Sequence, residues 1–246
     1  MATSIYASGD RAEKSSEYVS LLGDRKNNQD RAIALSDEQR LLLVVADGMG
    51  GHSDGALAAQ CVVDCAKEVF FSDDPRSGPQ LMQHITVTAH QRIAQINPTA
   101  HDREQPRTTL VCCLIEDGKA LFGHAGDSRG YHIRDGQVLH RTLDHSAVSM
   151  MVRRGDITEE EAKTHPLRNQ VSRCLGGLSP PPALELTPCP PLKAGDLLLL
   201  CSDGFWDPLS SEELCSDESL PTLAQTAVER RPGRADNCTA LRMRCD

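Results

Sequence analysis

Five short acidic stretches are the residues of this sequence best suited to chemistry. Each places an aspartate beside glycine or a small polar residue, and three of them directly follow apolar runs that are typical of strands. They are Asn28-Gln29-Asp30, Asp47-Gly48-Met49-Gly50-Gly51-His52, Gly126-Asp127-Ser128-Arg129, Ser202-Asp203-Gly204 and Asp236-Asn237. Carboxylates at strand ends can converge in space, and clustered carboxylates raise one another's pKa unless a cation neutralises them. Hard divalent cations with oxygen ligands are the natural partners, and a two-cation site of this kind hydrolyses phosphate esters.

The composition limits the classes of protein to consider. The chain has 246 residues, 39% of them hydrophobic and only 3% aromatic, so its core must rest on aliphatic side chains. Its formal net charge of −9 argues against a general nucleic-acid binder or a binder of anionic membranes. No apolar run is long enough to cross a membrane, and residues 1–17 lack the apolar stretch of a signal peptide. We therefore expect a cytoplasmic protein.

Ten cysteines are many for a chain of this length, but none forms a Cys-x-x-Cys pair. That spacing disfavours a zinc site, and a disulfide framework is not expected in the cytoplasm. We predict that the cysteines are reduced and serve as small buried hydrophobic residues.

The first half of the chain predicts paired strands followed by paired helices. Residues 18–23 predict a first strand, and residues 31–35 and 41–46 predict a hairpin with residues 36–40 as its turn. One predicted helix begins near Ser53 or Asp54, which could cap it, and a second begins at Pro79. Their apolar faces are predicted as Leu57, Cys61, Val62, Cys65 and Val69 for the first helix, and as Leu81, Met82, Ile85, Ala89, Ile93 and Ile96 for the second.

Residues 110–141 carry the clearest strand pattern in the chain. The pairs Asp117-Gly118 and Asp135-Gly136 each separate two strand-like runs, which is the strongest short signal for a hairpin. The stretch Gly126–Arg129 lies between these hairpins and is predicted to link two antiparallel strands.

The second half of the chain changes character. Residues 145 to about 178 predict a mobile surface element with short helical segments, and the proline-rich residues 180–191 predict irregular structure. A strand over residues 196–201, a helix near 220–230 and a strand over 238–245 follow. No linker divides the chain, so we predict a single domain over residues 1–246 with a loose lead-in over 1–17. The fold class is α+β, with antiparallel sheets inside and helices outside.

At these motifs the chain resembles a known family, the metal-dependent protein serine/threonine phosphatases of the PP2C (PPM) type. The similarity extends from about Gly23 to Met243, with the motifs in the family's order, and the Asn-Gln-Asp form and compact length resemble its bacterial branch. The matching elements are Arg25-x-x-Asn28-Gln29-Asp30, Val45-Ala46-Asp47-Gly48-Met49-Gly50-Gly51-His52, Thr108-Thr109, Gly126-Asp127-Ser128-Arg129, Asp144-His145-Ser146, Ser202-Asp203-Gly204 and Asp236-Asn237. The resemblance implies a four-layer αββα fold, in which a sandwich of two antiparallel sheets is flanked by helices, with the site in a cleft at one end. Residues 145–178 resemble the family's flap.

The resemblance also implies a set of metal ligands. Asp47 would bridge two Mn²⁺ or Mg²⁺ ions, with Asp203 and Asp236 on the first ion. The Gly48 carbonyl and Asp30 would serve the second ion. A hydroxide between the ions would attack phosphorus in line, without a phosphoenzyme. Asp127 resembles the ligand that, with Asp203, holds a possible third ion, although its stretch also fits a simple turn.

Three further residues are candidates for catalysis by resemblance. Arg25 resembles the phosphate-binding arginine, whose fork matches phosphate oxygens; it also fits a surface arginine paired with Asp24 or Asp30. His52 and His165 are candidate general acids, with a metal-bound water as the alternative donor. The chain departs from the family at Met49, where some relatives carry histidine, and at Arg107, where the family usually has glycine.

The preferred function is therefore hydrolysis of phosphoserine and phosphothreonine in proteins. We expect partners to be phosphoproteins modified by a cognate Ser/Thr kinase, and the protein itself to be a monomer that binds neither nucleic acid nor membrane. Two alternatives stay open: a catalytically silent scaffold, and a phosphatase for a small phosphomonoester or nucleotide. The scaffold would lack metal ligands, whereas all are present here, and no Gly-rich nucleotide-binding loop supports the third hypothesis.

Overall fold

The computed structural model describes residues 6–7, 16–50, 54–72, 76–99 and 101–245. The strands are β1 (Tyr6–Ala7), β2 (Ser16–Leu21), β3 (Asp30–Ser36), β4 (Arg40–Met49), β5 (Arg107–Thr108), β6 (Leu110–Glu116), β7 (Lys119–Ala125), β8 (Arg129–Arg134), β9 (Gln137–Arg141), β10 (Leu175–Gly176), β11 (Glu185–Pro188), β12 (Leu197–Cys201) and β13 (Cys238–Arg244). The helices are α1 (Asp54–Phe70), α2 (Gly78–Ile93), α3 (Ala147–Arg154), α4 (Glu159–Thr164), α5 (Asp203–Trp206), α6 (Ser211–Leu214) and α7 (Leu220–Glu229), with a 3₁₀ turn at Asp102–Glu104.

Two sheets form the centre of the molecule. In the described part of the chain the first sheet has the order β1-β3-β4-β6-β7-β11, and β5 joins it between β4 and β10. The second sheet has the order β2-β13-β12-β8-β9. Among the strands in the described ranges, every pairing is antiparallel except that of β1 with β3.

Three layers of buried apolar side chains separate four layers of backbone. Strand β12 shows why, since Leu198 and Leu200 pack between the sheets while Leu197 and Leu199 face the helices of the second sheet. On the other side, α1 and α2 cover the first sheet through residues such as Val62. Side chains alternate along a strand, so a run that is apolar throughout must be buried on both faces. The predicted αββα sandwich is confirmed.

The predicted hairpins are also confirmed. The β6–β7 and β8–β9 turns place Asp117 and Asp135 at φ 51° and 52°, with each following glycine also at positive φ. This is the conformation that Asp-Gly pairs adopt in two-residue hairpin loops. Both principal helices lie close to the predicted positions, although Leu57 is 50% exposed and does not belong to the buried face of α1. The small residues Ala58, Ala59 and Ala66 take the sheet-facing positions instead.

Two predictions about connections need correction. The stretch Gly126–Arg129 links β7 of the first sheet to β8 of the second, so it crosses the sandwich and does not join paired neighbours. The proline-rich residues 180–191 are not wholly irregular, because Glu185–Pro188 form edge strand β11 against β7. An edge strand tolerates proline, since only one side of its backbone needs hydrogen-bonding partners.

The segment between β9 and β10 is peripheral. Helix α3 buries only Val148, and α4 buries no side chain. The ends of the segment meet at a bridge between Ser146 and Val171. Thr158 caps the start of helix α4, and His165 caps its end.

The prediction that the cysteines are buried holds for half of them. All ten are free thiols, of which Cys65, Cys112, Cys113, Cys201 and Cys238 are buried and the other five are half-buried. Burial raises the pKa of Cys112 to about 12, so that thiol stays protonated. In the residues that the structure describes, no helix has the length and apolar character needed to span a bilayer.

Candidate metal centre

Asp30 and Asp47 face each other at the open end of the first sheet. The hairpin register that starts at Ser36 and Leu41 continues without a bulge to pair Asp30 with Asp47. Asp30 is 2% exposed, and its Oδ2 accepts a hydrogen bond of 2.8 Å from the hydroxyl of Ser202 in the second sheet's loop. This bond joins the two sheets directly beside the carboxylates.

The backbone around Asp47 is fixed by two threonines. The Asp47 N–H donates to Thr109 Oγ1 at 3.0 Å, and the Asp47 carbonyl accepts from the Thr108 hydroxyl and the Thr109 N–H, both at 2.9 Å. Gly48 follows, and a Cβ there would lie 2.1 Å from the Gly55 carbonyl oxygen. Only glycine permits this close approach of α1 to the end of β4.

Asp203 and Asp236 belong to the second sheet. Asp203 opens α5 directly after β12, and Asp236 precedes β13. These two strands are neighbours, and a Cβ on Gly204 would lie 2.1 Å from the Asn237 carbonyl oxygen and 3.2 Å from Asp236 Cβ. The two aspartates are therefore packed together by the same close backbone approach.

Asp127 lies in the crossing between the sheets and is 9% exposed. Its carbonyl accepts a 3.0 Å hydrogen bond from Trp206 Nε1 at the end of α5. The Arg129 guanidinium stacks on the ring of Trp206, 3.2 Å from its centre. Arg129 also forms a bidentate ion pair with Asp144, with both hydrogen bonds at 2.7 Å. This frame holds Asp127 on the side of the cluster that faces α5.

The five carboxylates share one electrostatic environment. Burial raises the pKa of Asp47 well above its usual value, and the charges of Asp30, Asp203, Asp127 and Asp236 raise it further. Burial also raises the pKa of Asp203, and the charges of Asp127, Asp236, Asp30 and Asp207 raise it further. Burial also raises the pKa of Asp30 and of Asp127 to about 6. The free energy cost of so many close anions falls when a cation binds among them.

The donor set fits divalent cations. Oδ1 of Asp30 and Oδ1 of Asp203 are buried without a hydrogen-bond partner, so both have a free coordination position in a low-dielectric site. Oxygen ligands of this kind suit Mg²⁺ and Mn²⁺. Among the described residues, no three of these carboxylates have oxygens within 4.8 Å of one another. Oxygens that bind one Mg²⁺ lie at most about 4.2 Å apart, so three of these side chains would have to move closer together to share an ion.

Arg25 lies beside this cluster. Its guanidinium forms a 2.6 Å ion pair with Asp236 Oδ2, and its side chain is 58% exposed. The alternative partners considered from the sequence, Asp24 and Asp30, are not the ones it contacts: Asp24 Oδ2 accepts from the Ala235 N–H and Asp30 Oδ2 from Ser202. An exposed cation at the edge of an anionic cluster is well placed to meet an incoming phosphate.

The two histidines proposed as general acids differ in what the structure says of them. His52 lies outside the described residues. His165 ends α4, and its Nδ1 accepts a 3.1 Å hydrogen bond from the Leu167 N–H, so its described contacts are with its own turn. The structure therefore does not bring His165 into contact with the carboxylates, and a role in proton transfer stays a prediction.

Asn237 is a site residue whose role the sequence did not reveal. Its Oδ1 accepts from the Gln29 N–H at 2.9 Å, and its Nδ2 donates to the carbonyls of Leu22 and Asn27. It thus ties the stretch that carries Asp236 to the stretch that carries Asp30. The pairing of an amide with two distant loops leaves no local pattern that could have predicted it.

Arg107 has a structural account as well. Its guanidinium donates to Asp102 at 2.7 Å and lies against Gly177, where a Cβ would approach its Nε to 2.8 Å. The arginine therefore points toward the β10 side of β5, while the neighbouring Thr108 faces Asp47.

An αββα sandwich whose two sheets bring carboxylates together at one end defines the class of metal-dependent phosphatases that the motifs resemble. The family model described as "Protein phosphatase 2C" matches residues 20–236. The chain belongs to this family, in its bacterial form.

Relatives and solved structures agree with this assignment. The serine/threonine protein phosphatase PstP of Mycobacterium tuberculosis is 35% identical over 225 residues, which are 88% of this chain but 42% of that protein. The protein phosphatase PhpP of Streptococcus pneumoniae is 32% identical over 238 residues, covering 90% of this chain and 94% of the relative. The solved catalytic domain of PstP "in complex with 2 Manganese ions" is 32% identical, with a TM-score of 0.76 over 94% of this chain and 98% of that one. This chain thus spans less than half of full-length PstP.

Proposed function

We propose that this protein is a metal-dependent phosphatase that removes phosphate from phosphoserine and phosphothreonine in proteins, by direct in-line transfer to water. The observation that carries this proposal is the convergence of five aspartates from both sheets, with unpartnered Oδ1 atoms on Asp30 and Asp203. We further propose that Asp47 bridges two Mn²⁺ or Mg²⁺ ions, with Asp203 and Asp236 on one and Asp30 and the Gly48 carbonyl on the other. A third ion would lie between Asp127 and Asp203.

Each part of the chain has a distinct task in this proposal. Bound divalent cations would lower the pKa of coordinated water toward neutrality and offset charge on the phosphate. The threonine hydrogen bonds fix the Asp47 peptide and so hold the backbone from which the bridging carboxylate projects. Arg25 would exchange its pairing with Asp236 for two phosphate oxygens, which orients the phosphoryl group for attack from the opposite side.

The substrate and setting complete the proposal. PstP is named a serine/threonine protein phosphatase and PhpP a protein phosphatase, which supports phosphoproteins as substrates. We propose that a cognate Ser/Thr kinase supplies them, that residues 1–246 act as one domain, and that the protein works as a cytoplasmic monomer.

The test is phosphate release from a phosphothreonine peptide with Mn²⁺ or with excess EDTA. We expect release only with the metal, and its loss in Asp47→Asn. The matched control is Asp64→Asn, which changes an exposed aspartate on α1 that contacts only Gln60 among its described hydrogen bonds. Full activity in EDTA would falsify the mechanism. Calorimetry separates the scaffold alternative, since a silent member would bind no Mn²⁺, and activity on nucleotides but not on phosphopeptides would favour the small-substrate alternative.

A further inference from the structure

A second polar cluster lies next to the metal centre but belongs to different residues. His124 on β7 and Glu185 on β11 are register partners across the edge of the first sheet. His145, which follows β9, stacks on His124 with ring centres 4.4 Å apart and planes 2° from parallel. Both histidines are buried, and Glu185 is 37% exposed.

Hydrogen bonds fix the proton on His145. The Gly126 N–H donates to His145 Nδ1 at 3.2 Å, so Nδ1 must carry the lone pair. The remaining ring proton is then on Nε2, which donates to Glu185 Oε2 at 2.9 Å. A carboxylate on one side of an imidazole and an N–H on the other leave a single tautomer. Burial lowers the pKa of His145 to about 4, which keeps the ring neutral at pH 7.

These three residues satisfy a distance criterion for metal binding, but their orientation does not suit it. An ion bound by an imidazole lies in the plane of that ring, and two parallel stacked rings share no such point. Coordination through His145 Nε2 would also remove the proton that Glu185 accepts while Nδ1 remains occupied by the Gly126 N–H. The cluster is better suited to holding a proton and a backbone segment than to holding a cation.

The backbone segment that it holds is the turn that carries Asp127. His145 contacts both polar groups of Gly126, because its own N–H donates to the Gly126 carbonyl at 2.9 Å. Gly126 has φ 122°, and a Cβ there would lie 2.6 Å from Thr109 Cγ2. The turn is therefore held between Thr109 on one side and His145 on the other, and Asp127 is the next residue.

We propose that His145, oriented by Glu185, is a positioning residue that fixes the Gly126 peptide and thereby the direction of the Asp127 carboxylate. Edge strand β11 carries Glu185 and supplies no metal ligand. It supports the metal centre through the hydrogen bond between Glu185 and His145. The inference rests on the proposed function only for the role of Asp127. The positioning itself is a property of the metal-free protein.

The test uses two pairs of variants in the full chain. His145→Leu removes the acceptor of the Gly126 N–H, whereas His145→Asn places an amide oxygen close to the position of Nδ1. Glu185→Leu removes the acceptor of the His145 proton, whereas Glu185→Gln retains one. The Glu185 pair is partly exposed and keeps the test valid if His145→Leu does not fold.

Two readouts apply to the metal-free protein. Amide hydrogen exchange at Gly126 should accelerate at least about tenfold in His145→Leu and much less in His145→Asn, because a lost hydrogen bond is equivalent to about one order of magnitude in an opening equilibrium. Nitrogen NMR should show the Nε2–H tautomer of His145 in the wild type and in Glu185→Gln, and a mixture of tautomers in Glu185→Leu.

The kinetic readout is phosphate release as a function of Mn²⁺ concentration. We expect kcat to fall about tenfold in His145→Leu and in Glu185→Leu, with recovery to within about threefold in the two conservative variants. Leucine variants that melt earlier but match the wild-type kcat well below their melting temperature would overturn the inference, as would unchanged exchange at Gly126. A wild-type protein that releases no phosphate would contradict the proposed function instead, while exchange and tautomer would still decide the positioning.

Discussion

Strand β12 is flanked by two aspartates that behave in opposite ways. Asp196 precedes the strand and is fully buried, yet its pKa is held well below the usual value. Its oxygens accept hydrogen bonds from Arg134 Nε and Nη2, both at 2.7 Å. They also accept from the Lys193 N–H at 2.9 Å and from His132 Nε2 at 2.8 Å. Asp203 follows the same strand, has one unpartnered oxygen and a raised pKa.

The difference shows what distinguishes a structural carboxylate from a functional one. Burial alone raises the pKa of either group, so the sign of the shift is set by the partners. Asp196 has a cation and a backbone donor within the fold, whereas Asp203 has other carboxylates. A buried charge without an internal partner indicates that an external one is expected.

The largest expected effect is a loss of activity when Asp203, but not Asp196, is substituted. Asp203→Asn should reduce phosphate release at least about 1,000-fold, the equivalent of ~4 kcal/mol of transition-state stabilisation. Its melting temperature in EDTA should stay equal or rise, since the substitution removes an uncompensated buried charge. Peptide assays and thermal melts provide the measurement, and a variant that keeps a tenth of the wild-type rate would contradict the ligand role.

The corresponding substitution of Asp196 should reduce stability and leave activity nearly unchanged. Asp196→Asn should lower the free energy of unfolding by about 1–3 kcal/mol, because a neutral amide cannot satisfy the hydrogen bonds that the buried carboxylate accepts from His132 and from the Lys193 N–H. Denaturant titration measures this loss. At low temperature the folded variant should retain kcat to within about twofold, and an inactive but stable variant would show that Asp196 also serves the metal centre.

A smaller effect is expected for Arg25, which belongs to the functional end. Arg25→Lys should lower kcat/KM about tenfold, since an ammonium does not reproduce the bidentate fork. The exposed pair with Asp236 should contribute less than ~1 kcal/mol to stability. Arg92→Lys is the matched control, because Arg92 forms a similarly exposed pair with Glu68 on the helical layer. Equal kcat/KM values for Arg25→Lys and Arg92→Lys would contradict a role for Arg25 in phosphate binding.

The smallest effect concerns pH. In EDTA, the raised pKa of Asp30 and Asp127 means that the folded state binds protons more tightly than the unfolded state. Their contribution to stability is therefore present at low pH and is lost as pH rises from about 4 through about 6. Asp196 has the opposite sign, and its contribution is lost as pH falls below the unfolded value near 4. Saturating Mn²⁺ should abolish the loss of stability that occurs as pH rises. Denaturant titrations at pH 4.5, 5.5 and 6.5 measure the free energy of unfolding. The same pH dependence with and without metal would contradict the carboxylate cluster as a metal site.

Much of the site could be predicted because its geometry is local. The hairpin turn at residues 36–40 sets the register, and counting back along both strands from Ser36 and Leu41 places Asp30 opposite Asp47. The approach of Asp203 to these residues rests on the order of the motifs and on the resemblance, since no local pattern specifies how two sheets stack.

The parts that were missed depend on pairing between distant segments. Strand β11 lies in a proline-rich stretch whose composition predicts irregular structure, and only β7 gives it a partner. The contacts of Trp206 with Asp127 and of Asn237 with Gln29 join residues far apart in the chain. Periodicity along a sequence does not contain such information.

The bridge between Ser146 and Val171 has a consequence for how this architecture can vary. The chain leaves the sandwich and returns to it at adjacent points, with the Ala147 N–H donating to the Gln170 carbonyl and the Ser172 N–H to the His145 carbonyl. Residues 147–170 therefore form an excursion with closed ends. Such a loop can be lengthened, shortened or exchanged without shifting the register of any strand that carries a carboxylate. The excursion and the carboxylate cluster can therefore change independently of each other.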